Sequence, residues 1–361
     1  MNLCMETRTP ADVEAALLRS RKTVEDFTVL VSPAAVPYLE EMARQAHALT
    51  LKYFGRVIRL FAPLYLSNEC VNWCRYCGFA RENPIQRMTL SLREVLSEAG
   101  YLHKEGFRHI LLVSGEHRQA VSPSFLSECV GRLHPEWPSI SLEVGPLETS
   151  EYEPIVRAGA EGLVIYQETY DRDVYAAMHP NGPKKDFDWR LETAERAYAA
   201  GFKRLGIGAL LGLAPWRTDA VALAGHVAYL LRHCWRAQIT VSIPRLRPAA
   251  GGFEPPVKVS ERDLVQLVCA LRLTFPEVGI VLSTRERARL RDGLVPLGVT
   301  MMSAGSHTEP GGYTGRIGPE DEYATEQFEV ADGRSSSEVA TVLAGMGYEP
   351  VWKDWDAVLN E

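Results

Sequence analysis

Eight short apolar, β-rich runs recur along this chain with amphipathic segments between them, and few folds accept that pattern. The runs are Phe61–Leu66, His109–Val113, Ile140–Val144, Gly162–Tyr166, Leu205–Leu210, Ile239–Ile243, Ile280–Leu282 and Val299–Met302. Strands alternating with helices imply a parallel sheet, because a parallel pair needs a crossover long enough for a helix. Eight such units are the number that closes a (β/α)8 barrel; an open doubly wound sheet is the alternative. The intervening helices carry their own end signals. Ser91 with Glu94 and Ser260 with Asp263 are capping boxes, Ser122–Pro123 starts another helix, and Asp188 is the expected cap of a helix that stops at Gly201. Ahead of the first run, Ser32–Pro33 opens a stripe of Leu39, Met42, Ala46, Leu49 and Tyr53 that ends at Gly55. The expected organisation is therefore an N-terminal helical extension (1–60), a TIM-type (β/α)8 barrel (61–305) and a C-terminal extension (306–361) packing on the barrel. That last part is Gly/Pro-rich and acidic at first, with a short helix expected at Ser337–Ala344.

Composition narrows the class. Hydrophobic residues are 46% and charged residues 24%, ordinary for a globular enzyme. With 39 Lys and Arg against 46 Asp and Glu, the net charge of −7 argues against coating nucleic acid or an anionic membrane. The longest uncharged apolar stretch, Leu205 to Trp216, is far below the ~20 residues of a membrane-spanning helix. No signal-peptide core precedes it, so a cytoplasmic, reducing location is expected.

The strongest chemical signal is LSNECVNWCRYCGF, where Cys70, Cys74 and Cys77 stand in C-x3-C-x2-C spacing just after the first run. Three thiolates on one loop can hold three irons of a 4Fe–4S cubane and leave the fourth iron open. A structural zinc site is the other reading, but it usually closes four ligands, and no second pair follows: Cys4, Cys129, Cys234 and Cys269 are scattered. In a barrel, the end of a strand is where such a loop meets the active-site mouth.

The triplet, with Tyr76 before its last cysteine and Phe79 two after it, resembles the radical S-adenosylmethionine superfamily. That resemblance implies a cluster with three cysteine ligands whose open iron chelates the methionine end of S-adenosylmethionine, and a 5′-deoxyadenosyl radical as the reactive group. Ser114 and Glu116 then fall where the methionine amino group is held, Glu168 in YQETY near a ribose, and Arg190 in DFDWRLET on the methionine carboxylate. GIGALLGL, with Gly208 inside it, offers bare backbone to adenine. Taken singly, each of these residues reads equally as a solvated or packing residue. The longer set (VSGEH, YQETY, DFDWRLET, GIGALLGL, SIPRLRP, LSTRE, PGGY and VWKDWD) is similar to the 2-iminoacetate synthases, the tyrosine lyases of thiamine thiazole biosynthesis, across about Ser32 to Asp356. The resemblance implies cleavage of the Cα–Cβ bond of L-tyrosine to 2-iminoacetate and p-cresol. It also implies a carboxylate anchor at Arg285 and Ser303, with Arg245 as a further candidate, a thiazole synthase partner, and a flavodoxin- or ferredoxin-type electron donor. A tryptophan-lyase relative shares the barrel. A hydrogenase-maturing tyrosine lyase shares it too, but carries C-terminal cysteines for a second cluster, and no cysteine follows Cys269 here.

Overall fold

The computed structural model describes residues 7–315 and 325–352. Its sheet is closed. The strands β1 (Val57–Ser67), β2 (His109–Ser114), β3 (Ser139–Glu143), β4 (Gly162–Glu168), β5 (Arg204–Ala209), β6 (Gln238–Ser242), β7 (Gly279–Leu282) and β8 (Met301–Ser303) pair in parallel with their sequence neighbours. β1 pairs with both β2 and β8, so the sheet has no edge within this ring. All eight expected runs are strands, and the architecture is the (β/α)8 barrel.

The period of two along each strand separates two cores. Outward residues such as Ile140 and Leu142 join the main core, shared with the surrounding helices. Inward residues make a smaller one: Phe61 and Tyr65 of β1 meet Leu111 and Val113 of β2, with Phe79 of the cysteine loop above them. Ser141 and Glu143 take the inward positions of β3 and stay half-buried.

Helices at the N-terminal end brace the outside. Gln266, in the helix Glu261–Thr274, donates to the carbonyls of Leu30 and Ser32 at 2.9 and 3.0 Å, and Arg217 donates to Val31 at 2.8 Å. The boxes at Ser91 and Ser260 and the cap at Ser122 form as expected. The Asp188 cap does not. Asp186 accepts from the Trp189 N–H and caps a short helix Phe187–Leu191, and a second helix, Thr193–Ala200, runs on to Gly201. Asp188 instead pairs at the surface with Arg172.

A ninth strand, β9 (Glu349–Val351), was not expected. It pairs in parallel with Val57–Arg59, the leading residues of β1. Between β8 and β9, Ser306, Thr308, Gln327 and Phe328 line the barrel mouth. Tyr313 donates to the Pro63 carbonyl at 2.6 Å, and the backbone N–H groups of Tyr313 and Thr314 donate to buried Glu98. Arg291 forms a buried pair with Asp332 and also donates to the Ser303 carbonyl at the end of β8. The terminal motif from Lys353 onward and Cys4 lie outside the described residues.

Candidate active site

The strand ends converge on one cavity with an empty volume of about 930 Å³ at the C-terminal mouth of the barrel. It joins a second cavity around the cysteine loop, and Cys77, Glu143, Tyr166, Glu168 and Lys184 line both.

The cysteine loop is held by its own backbone. The Val71 N–H donates to the Glu116 carbonyl at 2.9 Å and the Gly115 N–H to Ser67 at 3.0 Å, which ties the loop to the end of β2. A side chain at Gly115 would run into the Glu69 carbonyl oxygen, so the close approach requires glycine. Asn72 donates to Glu116 at 2.7 Å and accepts from the Lys184 N–H at 2.8 Å. Arg87 gathers the carbonyls of Asn68, Phe79, Ala80 and Asn83 from below. Cys70, Cys74 and Cys77 thus face one cavity, together with Phe79, Ser114 and Glu116. Burial pushes the Cys74 and Cys77 thiols up, so they stay protonated until a cation claims them. Among the described residues, no three His, Cys, Asp or Glu side chains converge on a point that fits a single metal ion. Three thiols on one loop, in a cavity that no histidine lines among the described residues, have the chemistry of an iron–sulfur site. Cys129, Cys234 and Cys269 are buried elsewhere.

Glu168 sits at an irregularity. The register with β5 shifts between Tyr166 and Glu168, and Glu168 has φ +70°. It is the one non-glycine in the left-handed region among the described residues. Bulges of this kind re-aim side chains beside active sites. Here the carboxylate meets Lys184 Nζ at 2.6 Å and Arg190 Nη2 at 3.5 Å, while Arg190 Nε donates to the Tyr166 carbonyl at 2.6 Å. Burial pushes the Glu168 carboxyl up, but Lys184 and Arg190 outweigh that and hold it below its usual range. Two buried cations face one carboxylate, which leaves a positive surplus for a ligand anion.

Tyr76 is buried and turned toward the mouth cavity, with its hydroxyl 2.8 Å from His179 Nε2. His179 Nδ1 lies 2.8 Å from the Tyr175 carbonyl, so the proton sits on Nδ1 and Nε2 accepts. Burial first, and Lys184 second, lower this imidazole to about 3 and keep it neutral. Gly208 lies behind the wall. A side chain there would strike the Ser242 carbonyl and the Tyr166 ring, so this glycine is needed for strand packing.

On the far side, Arg285 and Ser303 line the mouth. Ser303 Oγ accepts from the Thr284 N–H at 3.2 Å. The Arg285 guanidinium stacks 3.3 Å from the Phe328 ring centroid, and among the described residues no carboxylate pairs with it. Burial lowers its pKa. Arg245 is placed otherwise. Its fork is closed on Glu286, with Nε at 2.8 Å, and Nη1 donates to the Val259 carbonyl at 2.9 Å. It does not line the mouth cavity, and Glu286 already occupies its fork, which sets it apart from Arg285 as a candidate anchor.

Sequence reasoning missed Lys184, His179, Asn72, Glu143, Gln327 and Phe328. Gln327 accepts from the Tyr65 hydroxyl at 2.8 Å and directs its amide at Cys77 Sγ, 3.9 Å away. Only Glu143 carried a signal, as a carboxylate at an inward position of the strand SISLE.

Residues 64–217 match the radical SAM superfamily and residues 242–349 the Biotin and Thiamin Synthesis associated domain. The 2-iminoacetate synthase of Escherichia coli (strain K12) is 43% identical over 361 residues, which is 100% of this chain and 94% of that protein. Among solved structures, the FeFe-hydrogenase maturase HydG from Carboxydothermus hydrogenoformans is 35% identical, with a TM-score of 0.87 over 96% of this chain and 79% of that one. Methylornithine synthase (PylB) shares the fold at 21% identity, with a TM-score of 0.74 over 94% of this chain and 97% of that one.

Proposed function

The chain belongs to the 2-iminoacetate synthase family of radical S-adenosylmethionine enzymes, and from that premise we propose that it splits the Cα–Cβ bond of L-tyrosine to 2-iminoacetate and p-cresol. The observation that carries the reading is Arg285, a guanidinium without a carboxylate partner among the described residues, in the mouth cavity that adjoins the cysteine loop. Such a fork, half-buried at the mouth, is suited to an amino-acid carboxylate, which it binds through two parallel, charge-assisted bonds. Ser303 supports it from the end of β8.

Cys70, Cys74 and Cys77 hold the cluster in this reading, and Phe79 packs beneath them. Ser114 and Glu116 take the methionine amino group, Arg190 its carboxylate and Glu168 a ribose hydroxyl, with Tyr76 and Gly208 shaping the walls. Once loaded, a cluster on Cys70, Cys74 and Cys77 with S-adenosylmethionine beside it would supply one-electron chemistry able to take a hydrogen atom from the substrate. The protein's part is to orient the amino acid, fix its charges and exclude water. A thiazole synthase that receives the labile imine, a flavodoxin- or ferredoxin-type donor and a reducing cytoplasm complete the proposal. So does the division into a helical extension (1–60), a barrel (61–305) and a C-terminal extension (306–361). Among the described residues no helix is long and apolar enough to cross a membrane.

Anaerobic reconstitution with iron and sulfide, followed by product analysis with tyrosine and with tryptophan, tests this. About four irons per chain and p-cresol from tyrosine are expected, the content of one cubane. Zinc without a chromophore, or turnover of tryptophan alone, overturns it.

A further inference from the structure

Glu143 ends β3 at the junction of three spaces: the mouth, the cysteine-loop cavity and the barrel interior below them. The strand's alternation aims it inward, since its neighbours Leu142 and Val144 belong to the outer core. Half-buried carboxylates normally find donors, yet among the described residues Glu143 makes no hydrogen bond and no ion pair. The charged and titratable groups around it come from every neighbouring element. Tyr65 faces it from β1, and Tyr166 and Glu168 from β4. Lys184 and Arg190 follow β4, and Arg285 follows β7. Lys184 and Arg190 are already bonded to Glu168, and Arg285 shares the mouth with Glu143 without closing a pair. The mouth therefore holds one free cation and one free anion among its described residues.

On the amino-acid reading given above, we infer that Glu143 is the counter-charge for the substrate's α-ammonium group, so that Arg285 and Glu143 together clamp a zwitterion. Position favours this assignment over a contact with the substrate side chain. Arg285 lines the mouth only, whereas Glu143 also lines the cavity that holds the cysteine loop. An amino acid anchored through its carboxylate on Arg285 then presents its nitrogen at the boundary, toward the side from which a hydrogen is removed. A ligand without the amino group leaves Glu143 as unpaired as it is in the free protein and forgoes the ion pair that tyrosine gains. Burial raises the Glu143 carboxyl to about 7, as expected of an anion that awaits a cation.

The test is equilibrium binding to the cluster-loaded, anaerobic protein, with three probes: L-tyrosine, 3-(4-hydroxyphenyl)propionate, which lacks the amine, and tyramine, which lacks the carboxylate. Glu143→Gln should weaken tyrosine and tyramine by about 10- to 100-fold, the usual effect of losing a bond to a charged group. It should leave the propionate within about twofold. The wild-type protein offers an independent reading that needs no variant: tyrosine affinity rises between pH 6 and 8 while propionate affinity does not. Equal weakening of tyrosine and propionate by Glu143→Gln, unchanged tyrosine binding, or a wild-type pH response shared by both ligands overturns the inference while leaving the lyase reading in place. If the loaded wild-type protein binds none of the three, the lyase reading itself falls, and this assignment with it.

Discussion

Single side chains in this mouth are held in states that water would not give them, and each state has a measurable consequence. Arg285 rests on the Phe328 ring with no anion beside it among the described residues. Arg285→Ala should keep its iron and slow S-adenosylmethionine cleavage while p-cresol formation collapses, and Arg285→Lys should restore little, because an ammonium lacks the fork. Loss of S-adenosylmethionine cleavage with an unchanged cluster spectrum would move Arg285 to the cofactor instead. Glu143 supplies a pH test. An ordinary glutamate titrates near 4.5, and this one is raised to about 7 in the folded protein. Its contribution to stability is therefore fully present below about pH 4.5 and is lost as pH climbs through 7. Glu143→Gln in ligand-free protein should gain in thermal midpoint over the wild type between pH 5 and 8; a constant gap refutes the titration. The cysteines were legible from spacing alone, because one loop carries all three. Lys184 and His179 were not, since their partners Glu168 and Tyr76 lie 16 and 103 residues away and only the folded chain brings them together.

The strands were legible as elements because inward and outward residues alternate on a closed sheet with both faces buried, which leaves eight clear apolar runs. Helix ends were read where a cap hydroxyl and an acid three residues on agree, as at Ser91 and Ser260. They were misread where several aspartates compete, as in DFDWRLET. Asp186→Ala should therefore cost about 1 kcal/mol of stability, and Asp188→Ala, an exposed partner of Arg172, almost nothing; denaturant unfolding of the two variants distinguishes them. The strand β9 escaped notice because three residues, one of them Pro350, carry no period. At the same scale, the close contact between β2 and the cysteine loop predicts that Gly115→Ala keeps the barrel's circular dichroism but loads less iron, since the added methyl forces the Glu69 carbonyl away. Full iron content in that variant would show that the loop has room to spare.

Across the whole molecule, the part of the sequence poorest in pattern forms much of the site's wall. Ser306, Thr308, Gln327 and Phe328 line the mouth, and Arg291 with Asp332 fastens this segment to β8. Its Gly/Pro-rich composition gave no hint of this, because the contacts are with strand ends far back in the chain. Arg291→Met should cost about 1–3 kcal/mol, since the Ser303 carbonyl loses its donor while Asp332 keeps Arg334 at 2.7 Å, and it should weaken tyrosine binding as well, because the segment that carries Phe328 loses a tie to the end of β8; thermal unfolding and tyrosine titration report the two effects separately. The position of β9 and the mouth segment also imposes an order in time. A ribosome delivers the cysteine loop some 250 residues before Gln327, the residue that donates toward Cys77, and later still comes the strand that extends β1. During that interval the nascent barrel presents its thiols under an unfinished wall, open to oxygen and to stray metals. Those thiols gain their full cover only when Gln327 and Phe328 have emerged and docked at the mouth.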